Sequence, residues 1–307
     1  MKRIPFYVVD SFTDTPFQGN PAGVFIDDQG VLTADEMRQL AGEVHLESAF
    51  VLPPYPDDVG LADIRLRYFT GTTEVPLCGH DTIATAAVLR RLGRFRSGQW
   101  VRAATQVGIV PILLEETGTA TMLQRPPQFD RPYSTVEIDP IEVAAALGLK
   151  KEALDPELSI RWVTTGTPWI FVPVQSRAQV DTTPADFAAI TALSQKYGAF
   201  GLYVFTIEKE TDDTMAVWSR CYAPIAGLNE DPVTGSASGA LGGYLAEAGI
   251  LAVSPGDSAA FTTRQGFAGG RGGTARVTVT RKPDGAYDSI AVTGNALILA
   301  EGAFTLP

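Results

Sequence analysis

The alternation of apolar and polar residues predicts many short strands and few long helices. The first ten residues form a strand candidate that Asp10 interrupts, and residues 65–69 form another. In the second half, β-branched and aromatic runs predict strands at 162–163, 170–174, 202–206, 277–280 and 290–293. Rossmann and TIM-barrel folds show regular alternation of strands and helices, which this pattern lacks. It favours an α+β protein with twisted, largely antiparallel sheets.

Capping signals mark where helices begin. Thr33 and Glu36 have the spacing of a capping box, which predicts a helix over residues 33–40. Asp139 and Thr183 each precede a proline, the arrangement of an N-cap followed by proline at the first helical position. Gly198 stands where the second of these helices should end. The helices are short, as expected of a mixed α and β chain.

The length of the chain and a pair of prolines predict two domains. A chain of 307 residues is twice the usual domain length of ~150 residues. Pro126 and Pro127 interrupt regular structure near the middle, as residues of a linker do. We therefore predict domains at 1–126 and 127–293, with the C-terminal segment at about 294–307 able to pack back on the first domain.

Composition and charge narrow the class of partner. Apolar residues make up 45% of the chain and charged residues 19%, a balance typical of globular proteins. The net charge of −11 repels phosphate backbones and anionic lipids, so neither nucleic acid nor a membrane is an expected partner. No segment approaches the ~20 apolar residues of a membrane-spanning helix, and the N-terminus lacks the features of a signal peptide. A cytoplasmic location is the simplest expectation.

The cysteines and histidines do not predict a metal site. The chain has two of each, Cys78, Cys221, His45 and His80, at spacings unlike those of zinc or iron sites. We therefore expect no bound metal. In a chain with a large core one disulfide would add little stability, so two thiols are expected rather than a bridge.

One heptapeptide occurs twice. Glu-Val-Pro-Leu-Cys-Gly-His at residues 74–80 matches Glu-Asp-Pro-Val-Thr-Gly-Ser at 230–236 without gaps, at an offset of 156 residues (230 − 74). Three of the seven positions are identical, and small or apolar residues follow each copy. Each copy therefore predicts a tight turn that leads into a buried helix.

The start of such a helix suits an anion. The first N–H groups of a helix have no partner within the helix and lie at the positive end of its dipole. Gly79 and Gly235 would offer backbone amides there. Two such helix starts would bind a small anionic substrate, such as a carboxylate, without a metal. The alternative is that both are ordinary helix starts in a duplicated fold.

Glu47 is a candidate acid/base. If residues 45–51 form a strand, Glu47 shares a face with Ala49 and Val51, so its carboxylate would be buried among apolar side chains. Burial raises the pKa of a carboxyl group, which would allow Glu47 to take and return a proton near neutral pH. The alternative is a glutamate at a strand edge that pairs with an arginine or faces water.

These residues resemble a known family, the PhzF-like isomerases of phenazine biosynthesis, which have the diaminopimelate epimerase fold. The similarity covers nearly the whole chain and follows a series of ordered motifs. They are Phe-Gln-Gly-Asn-Pro-Ala-Gly-Val at 17–24, His-Leu-Glu-Ser-Ala-Phe-Val at 45–51, the two heptapeptides, Thr-Gly-Thr-Pro at 165–168, Gln-Gly at 265–266 and Gly-Arg-Gly at 270–272.

The resemblance implies two similar domains, each a curved sheet around a central helix, with the active site in the cleft between them and no cofactor. It implies that Glu47 transfers the proton. By the same resemblance, His80, Asp231 and Ser236 hold the substrate or assist the proton's path, and Asn20 lines the cleft. The expected protein is a homodimeric, cofactor-independent isomerase of a small carboxylated metabolite. In the phenazine enzyme the proton moves within a dihydro-hydroxyanthranilate ring.

Two departures from the family pattern leave alternatives open. Cys78 stands where epimerase relatives carry the first of two catalytic cysteines, but the second heptapeptide has Thr234 at that place. A racemase with two opposed thiols therefore lacks its second thiol, and Cys78 is interpreted as a small residue at a helix start. The family more often has proline or a small residue where Asp81 follows the Gly-His pair, so this carboxylate could change the preferred substrate. The alternatives are a cysteine-assisted racemase or epimerase using Cys78, and a non-catalytic protein that binds a small metabolite.

Overall fold

The computed structural model describes residues 1–115, 118–130, 137–209 and 215–307. Its strands are β1 Lys2–Ser11, β2 Asn20–Ile26, β3 Ser48–Leu52, β4 Ile64–Phe69, β5 Glu74–Val75, β6 Gln99–Thr105, β7 Gly108–Leu114, β8 Ala120–Gln124, β9 Gln128–Phe129, β10 Arg161–Thr164, β11 Pro168–Pro173, β12 Leu202–Lys209, β13 Met215–Ala223, β14 Leu228–Asp231, β15 Ser258–Gln265, β16 Gly273–Arg281, β17 Tyr287–Gly294 and β18 Ala296–Leu306. Its α-helices are α1 Ala34–Val44, α2 Gly79–Arg91, α3 Pro140–Ala146, α4 Arg177–Asp181, α5 Phe187–Tyr197 and α6 Gly235–Glu247. The chain forms two compact units: unit 1 consists of Met1–Leu123 and Thr293–Pro307, and unit 2 consists of Gln124–Val292.

Unit 1 is a curled sheet around the buried helix α2. β1 pairs antiparallel with β2 and with the C-terminal strand β18, which therefore belongs to this unit. The pairs β2–β3 and β4–β6 are parallel, whereas β3–β4, β4–β5, β6–β7 and β7–β8 are antiparallel. Strands β1, β2, β3, β7 and β18 contact α2. Residues 79–89 of this helix are all buried, so this part of the helix has no solvent-exposed face and lies in the core.

Helix α1 packs on a second apolar cluster of unit 1. Its Met37 and Leu40 are buried among side chains of β2, β3 and β4. The rings of Phe25 and Phe50 stack with their centroids 4.6 Å apart, and Phe69 meets Phe50 edge-on at 5.6 Å. This aromatic cluster fixes α1 against the sheet, and with it the connection that leads from α1 into β3.

Unit 2 repeats the arrangement around helix α6. Its strands pair antiparallel as β9–β10, β10–β11, β12–β13, β13–β14 and β15–β16, and parallel as β11–β12 and β13–β15. The order of parallel and antiparallel pairs from β10 to β16 is the same as from β1 to β7 in unit 1. Residues 235–246 of α6 are buried, and the helix contacts β10, β11 and β16. The predicted fold class is confirmed: an α+β chain with a curved, largely antiparallel sheet around a central helix in each half.

Most local predictions agree with the structure. The five strands predicted in the second half and the strand at 65–69 are present. Thr33 and Glu36 form both hydrogen bonds of the capping box at the start of α1. Asp139 caps α3, with proline at the first helical position. Among the described residues, no helix is long and apolar enough to cross a membrane.

The predictions made for Asp10 and Thr183 are wrong. Asp10 does not interrupt β1, which continues to Ser11 with the Asp10 side chain buried. Thr183 does not cap a helix, because α5 starts further along, after the N-cap Asp186, whose carboxylate accepts two backbone amides. Proline after a polar residue is a weaker signal here than the aspartate that follows it. Gly198 ends α5 in a left-handed conformation, as predicted.

Candidate active site

The two heptapeptides form the same strand–turn–helix structure, one in each unit. Residues 74–80 lead from β5 into α2, and residues 230–236 lead from the end of β14 into α6. Cys78 and Thr234 are the N-caps, and Gly79 and Gly235 are the first helical residues. The predicted turn before a buried helix is therefore confirmed for both copies. Helix geometry leaves the amides of each first turn without a partner inside the helix.

The glutamates that open the heptapeptides anchor the turns. Glu74 accepts two hydrogen bonds from the guanidinium of Arg67 on β4, at 2.8 and 2.7 Å. Glu230 accepts two from Arg220 on β13, at the same two distances. Each pair joins the short strand before the turn to its longer neighbour, so these identical positions maintain the scaffold.

Glu47 lies in the connection between α1 and β3, not within a strand as predicted. Helix α1 extends to Val44, and His45 ends it in a left-handed conformation with φ 54°. The strand begins only at Ser48, so strand alternation does not place the Glu47 side chain. All five residues of β3 are buried, which means that alternation does not separate two faces. The Glu47 side chain is nevertheless mostly buried, with 13% of it exposed.

A glycine on the neighbouring strand holds the Glu47 backbone in place. The amide of Gly23 on β2 donates to the carbonyl of Glu47 at 2.9 Å. A Cβ atom at position 23 would lie 2.4 Å from the Ser48 hydroxyl, so a side chain there would displace Ser48 or separate β3 from β2. The position of Glu47 therefore depends on close packing between β2 and β3.

His80 lies between a thiol and two carboxylates. Its Nδ1 atom is 3.2 Å from Cys78 Sγ. The Nε2 atom is 3.7 Å from Glu47 Oε2 and 3.3 Å from Asp81 Oδ1, and it lies 3.9 Å from Cys78 Sγ. His80 and Asp81 are both fully or almost fully buried. The structure thus brings the predicted residues Glu47 and His80 together, and it adds Cys78 and Asp81 to their surroundings.

Burial lowers the pKa of His80 to about 3, because the interior disfavours the charged imidazolium. The adjacent carboxylates of Glu47 and Asp81 oppose this shift, since a negative charge within about 4 Å favours the protonated ring. Desolvation is the larger effect for a ring that is 2% exposed. Near neutral pH His80 is therefore a neutral imidazole with one donor and one acceptor nitrogen.

Asn20 is linked to the same helix start through Ser11. The two residues are paired neighbours on β2 and β1, and both are buried. The Ser11 hydroxyl donates to the carbonyl of His80 at 2.8 Å. We call Asn20, Glu47, Cys78, Gly79, His80 and Asp81 the N-terminal half-site.

In unit 2 the predicted residue Asp231 belongs to a hydrogen-bond network at the start of α6. The Thr234 hydroxyl donates to Asp231 Oδ2 at 2.6 Å. Gln265, at the end of β15, donates from Nε2 to the Asp231 carbonyl at 2.7 Å and to the Thr234 hydroxyl at 2.9 Å. Its Oε1 accepts the Thr234 amide at 3.1 Å. The network holds the Asp231 carboxylate in one orientation.

Ser236, the counterpart of His80 in the repeat, is buried in the first turn of α6. We call Asp231, Thr234, Gly235, Ser236 and Gln265 the C-terminal half-site. Sequence reasoning assigns no role to two of its members, Thr234 and Gln265. The N-cap preference for threonine could have identified Thr234, but no local signal connects position 265 with a turn about thirty residues earlier. A groove elsewhere in unit 2, lined by Glu137, Lys151 and Gln175, contains none of the predicted site residues.

The architecture of the two units defines the class of fold. A curled α+β sheet around a central helix, repeated in each half, is the fold of the proline racemase and diaminopimelate epimerase class. A hydroxyproline epimerase from Agrobacterium vitis, solved with trans-4-hydroxy-L-proline, has this fold with a TM-score of 0.63. It is 15% identical, and the alignment covers 98% of this chain and 92% of that one.

Within that class, sequence comparison is more specific. The family model for phenazine biosynthesis-like proteins, PhzC-PhzF, matches residues 9–302, and the chain belongs to this family. It is 34% identical to the uncharacterized isomerase YddE of Salmonella typhimurium over 97% of this chain and 98% of the relative. The solved PhzF-family phenazine biosynthesis protein of Bacillus anthracis is 30% identical with a TM-score of 0.85, and all of both chains is covered. The chain is accordingly an isomerase, as predicted.

Proposed function

We propose that the protein is a cofactor-independent isomerase that moves a proton on a small carboxylated metabolite, with Glu47 as its acid/base. The observation that carries this proposal is the Glu47 carboxylate, mostly buried and 3.7 Å from His80 at the start of the central helix of unit 1. A carboxyl group in such a place can remove a proton from one carbon and return it to another.

The neighbours of Glu47 have complementary roles in this proposal. The amides of Gly79 and His80 in the first turn of α2 would stabilise a substrate carboxylate or a developing enolate oxygen. The lowered pKa keeps the His80 ring neutral. A neutral imidazole would hydrogen-bond to the substrate without adding a positive charge beside it. Asn20 would contribute a further polar contact from the start of β2.

The residues of the C-terminal half-site also have roles in this proposal. We propose that Asp231 assists the proton's path and that Ser236 and the Gly235 amide bind substrate. The hydrogen bonds from Thr234 and Gln265 support this role, because a carboxylate held in one orientation is suited to a defined proton transfer. Substitution of Asp231 or Ser236 should therefore impair the isomerase activity.

The proposal is tested by solvent deuterium incorporation. Wild-type protein in D2O is incubated with a panel of small carboxylated metabolites, and exchange at carbon is followed by NMR or mass spectrometry. Glu47→Gln should abolish the exchange while circular dichroism remains unchanged. Glu43→Gln, which alters a glutamate on α1 outside both half-sites, is the matched control and should retain it. Retained exchange in a folded Glu47→Gln variant would contradict the role of Glu47.

One observation favours a second mechanism, a cysteine-assisted racemase or epimerase. Cys78 Sγ lies 3.2 Å from His80 Nδ1, and a histidine at this distance can accept a thiol proton. In that case Cys78→Ala should abolish turnover, whereas full activity would exclude it. The isomerase names of the relatives speak against the alternative of a protein that only binds a metabolite.

A further inference from the structure

Three potential metal ligands of different chemistry converge at the start of α2. They are the carboxylate of Glu47, the thiol of Cys78 and the imidazole of His80, and their ligand atoms all lie within 4.8 Å of one another. Two of these residues are adjacent to Gly79 in the heptapeptide, whereas Glu47 comes from the connection between α1 and β3. A search for metal-ligand spacing along the chain cannot detect such a set, because the third member is about thirty residues away.

Two of the three ligand separations are close to those of a tetrahedral zinc site. With metal–ligand bonds of about 2.3 Å to sulfur and about 2.0–2.2 Å to nitrogen or oxygen, neighbouring ligand atoms in a tetrahedron are about 3.4–3.6 Å apart. His80 Nε2 is 3.7 Å from Glu47 Oε2 and 3.9 Å from Cys78 Sγ. These two separations exceed the ideal values by a few tenths of an ångström, and all three ligand atoms lie within 4.8 Å of one another. Bringing all three atoms to one ion requires a change of side-chain rotamer, because Cys78 Sγ lies 3.2 Å from Nδ1 of the His80 ring and is closer to it than to Nε2.

The ligand types select the metal. Thiolate and imidazole ligands favour zinc and other borderline-soft cations, whereas magnesium and calcium prefer oxygen ligands alone. Three protein ligands leave a fourth position for water or another small ligand, as in exchangeable rather than closed structural sites. The N-cap Cys78 and the helical residue His80 both lie at the start of α2, so two of the three ligands come from one short backbone segment.

We propose that Glu47, Cys78 and His80 form a reversible binding site for zinc, and that zinc bound there inhibits the isomerase. Binding converts the Cys78 thiol to a thiolate, and its proton passes to the solvent. A metal-bound Glu47 carboxylate cannot take up a substrate proton, so inhibition follows from occupancy of the acid/base itself. The inhibition rests on the proposed function of Glu47, whereas the binding does not. The spacing of the cysteines and histidines along the sequence argues against a permanently bound metal. The site proposed here differs, because it binds zinc reversibly and regulates the activity.

Binding is tested on the full chain with zinc alone, by isothermal titration, and with cobalt as a spectroscopic probe. We expect one metal per chain and a thiolate-to-cobalt charge-transfer band, which reports sulfur coordination directly. Cys78→Ser should remove the band. It should also weaken zinc binding by at least about 10–100-fold, because loss of a residue that only supports a metal ligand already has an effect of this size. Cys221→Ser, which alters the other buried cysteine, is the matched control and should retain both signals.

Glu47→Gln provides an independent variant, because its side chain is partly exposed and the substitution keeps its volume. It should weaken zinc binding by at least about tenfold but preserve the cobalt–thiolate band. The proposal is overturned if folded wild-type protein takes up no zinc at micromolar concentrations, or if Cys78→Ser binds zinc as tightly as wild type. Zinc binding that depends on Cys78, together with full exchange activity of Glu47→Gln, would uphold the metal site and refute the proposed function. Loss of exchange in Glu47→Gln, in a protein that binds no zinc, would uphold the proposed function and refute the metal site.

Discussion

The buried, neutral state of His80 has a measurable effect on stability. The ordinary pKa of 6.5 applies in the unfolded chain, whereas burial lowers the pKa to about 3 in the folded protein. Between these values the unfolded state binds a proton that the folded state does not. Stability therefore falls as the pH decreases from about 6.5 toward 3, and His80→Gln removes this contribution.

The magnitude follows from the two pKa values. One proton bound only by the unfolded state changes the free energy of unfolding by about 1.4 kcal/mol per pH unit. From pH 7 to pH 4.5 the His80 contribution amounts to about 2–3 kcal/mol of lost stability. The carboxylates of Glu47 and Asp81 reduce this value, because their charges favour the imidazolium. We therefore expect wild type to lose between about 1 and 3 kcal/mol more than His80→Gln over this interval.

The assay is equilibrium urea unfolding at half-unit steps from pH 7 to pH 4.5, with wild type, His80→Gln and His45→Gln. His45 lies outside the core, at the end of α1, so its replacement controls for the loss of one histidine from the unfolded chain. Its curve should remain parallel to that of wild type. Equal pH dependence of wild type and His80→Gln would refute the buried neutral ring. If the free energy of unfolding of wild type instead rises relative to that of His80→Gln as the pH falls, the carboxylates of Glu47 and Asp81 hold His80 protonated.

Three further predictions concern the scaffold of the two half-sites. Glu74→Gln breaks a partly buried arginine pair and should lower the free energy of unfolding by about 1–3 kcal/mol in a chemical denaturation series. Gly23→Ala places a Cβ atom 2.4 Å from the Ser48 hydroxyl, so it should cost about 1–3 kcal/mol and reduce kcat by displacing Glu47; unchanged kcat would contradict that dependence. Gln265→Leu removes the hydrogen bonds that orient the Asp231 turn, and steady-state kinetics should show a larger fall in kcat than rise in KM.

Local signals predict the scaffold well because they depend on nearby residues. The capping box of Thr33 and Glu36 and the heptapeptide turns involve contacts within a few positions, which the sequence displays directly. The surroundings of Glu47 depend on distant pairing. Its burial results from the approach of β2 to β3 and from the start of α2, not from strand alternation, so the predicted burial is right although the predicted strand is wrong.

The chemistry of the half-sites is less predictable for the same reason. The repeat presents Cys78 as a small helix-start residue, and the structure shows it both at the N-cap of α2 and in contact with His80. Thr234 occupies the matching N-cap but donates to Asp231 instead. These contacts depend on side-chain directions at the two helix starts, which an alignment of the repeat does not contain.

The duplicated fold explains why a single acid/base is proposed rather than two. In unit 1 the amide of Gly23 on β2 donates to the carbonyl of Glu47, just before β3 begins. In unit 2 the amide of Ile170 on β11 donates at 3.0 Å to the carbonyl of Gly201, just before β12 begins. Gly201 is thus the counterpart of Glu47, and a Cβ atom there would lie 2.1 Å from the carbonyl oxygen of Tyr222. The backbone of unit 2 excludes any side chain at the position where unit 1 carries its carboxylate, so the scaffold is symmetric while the proposed proton-transferring group is not.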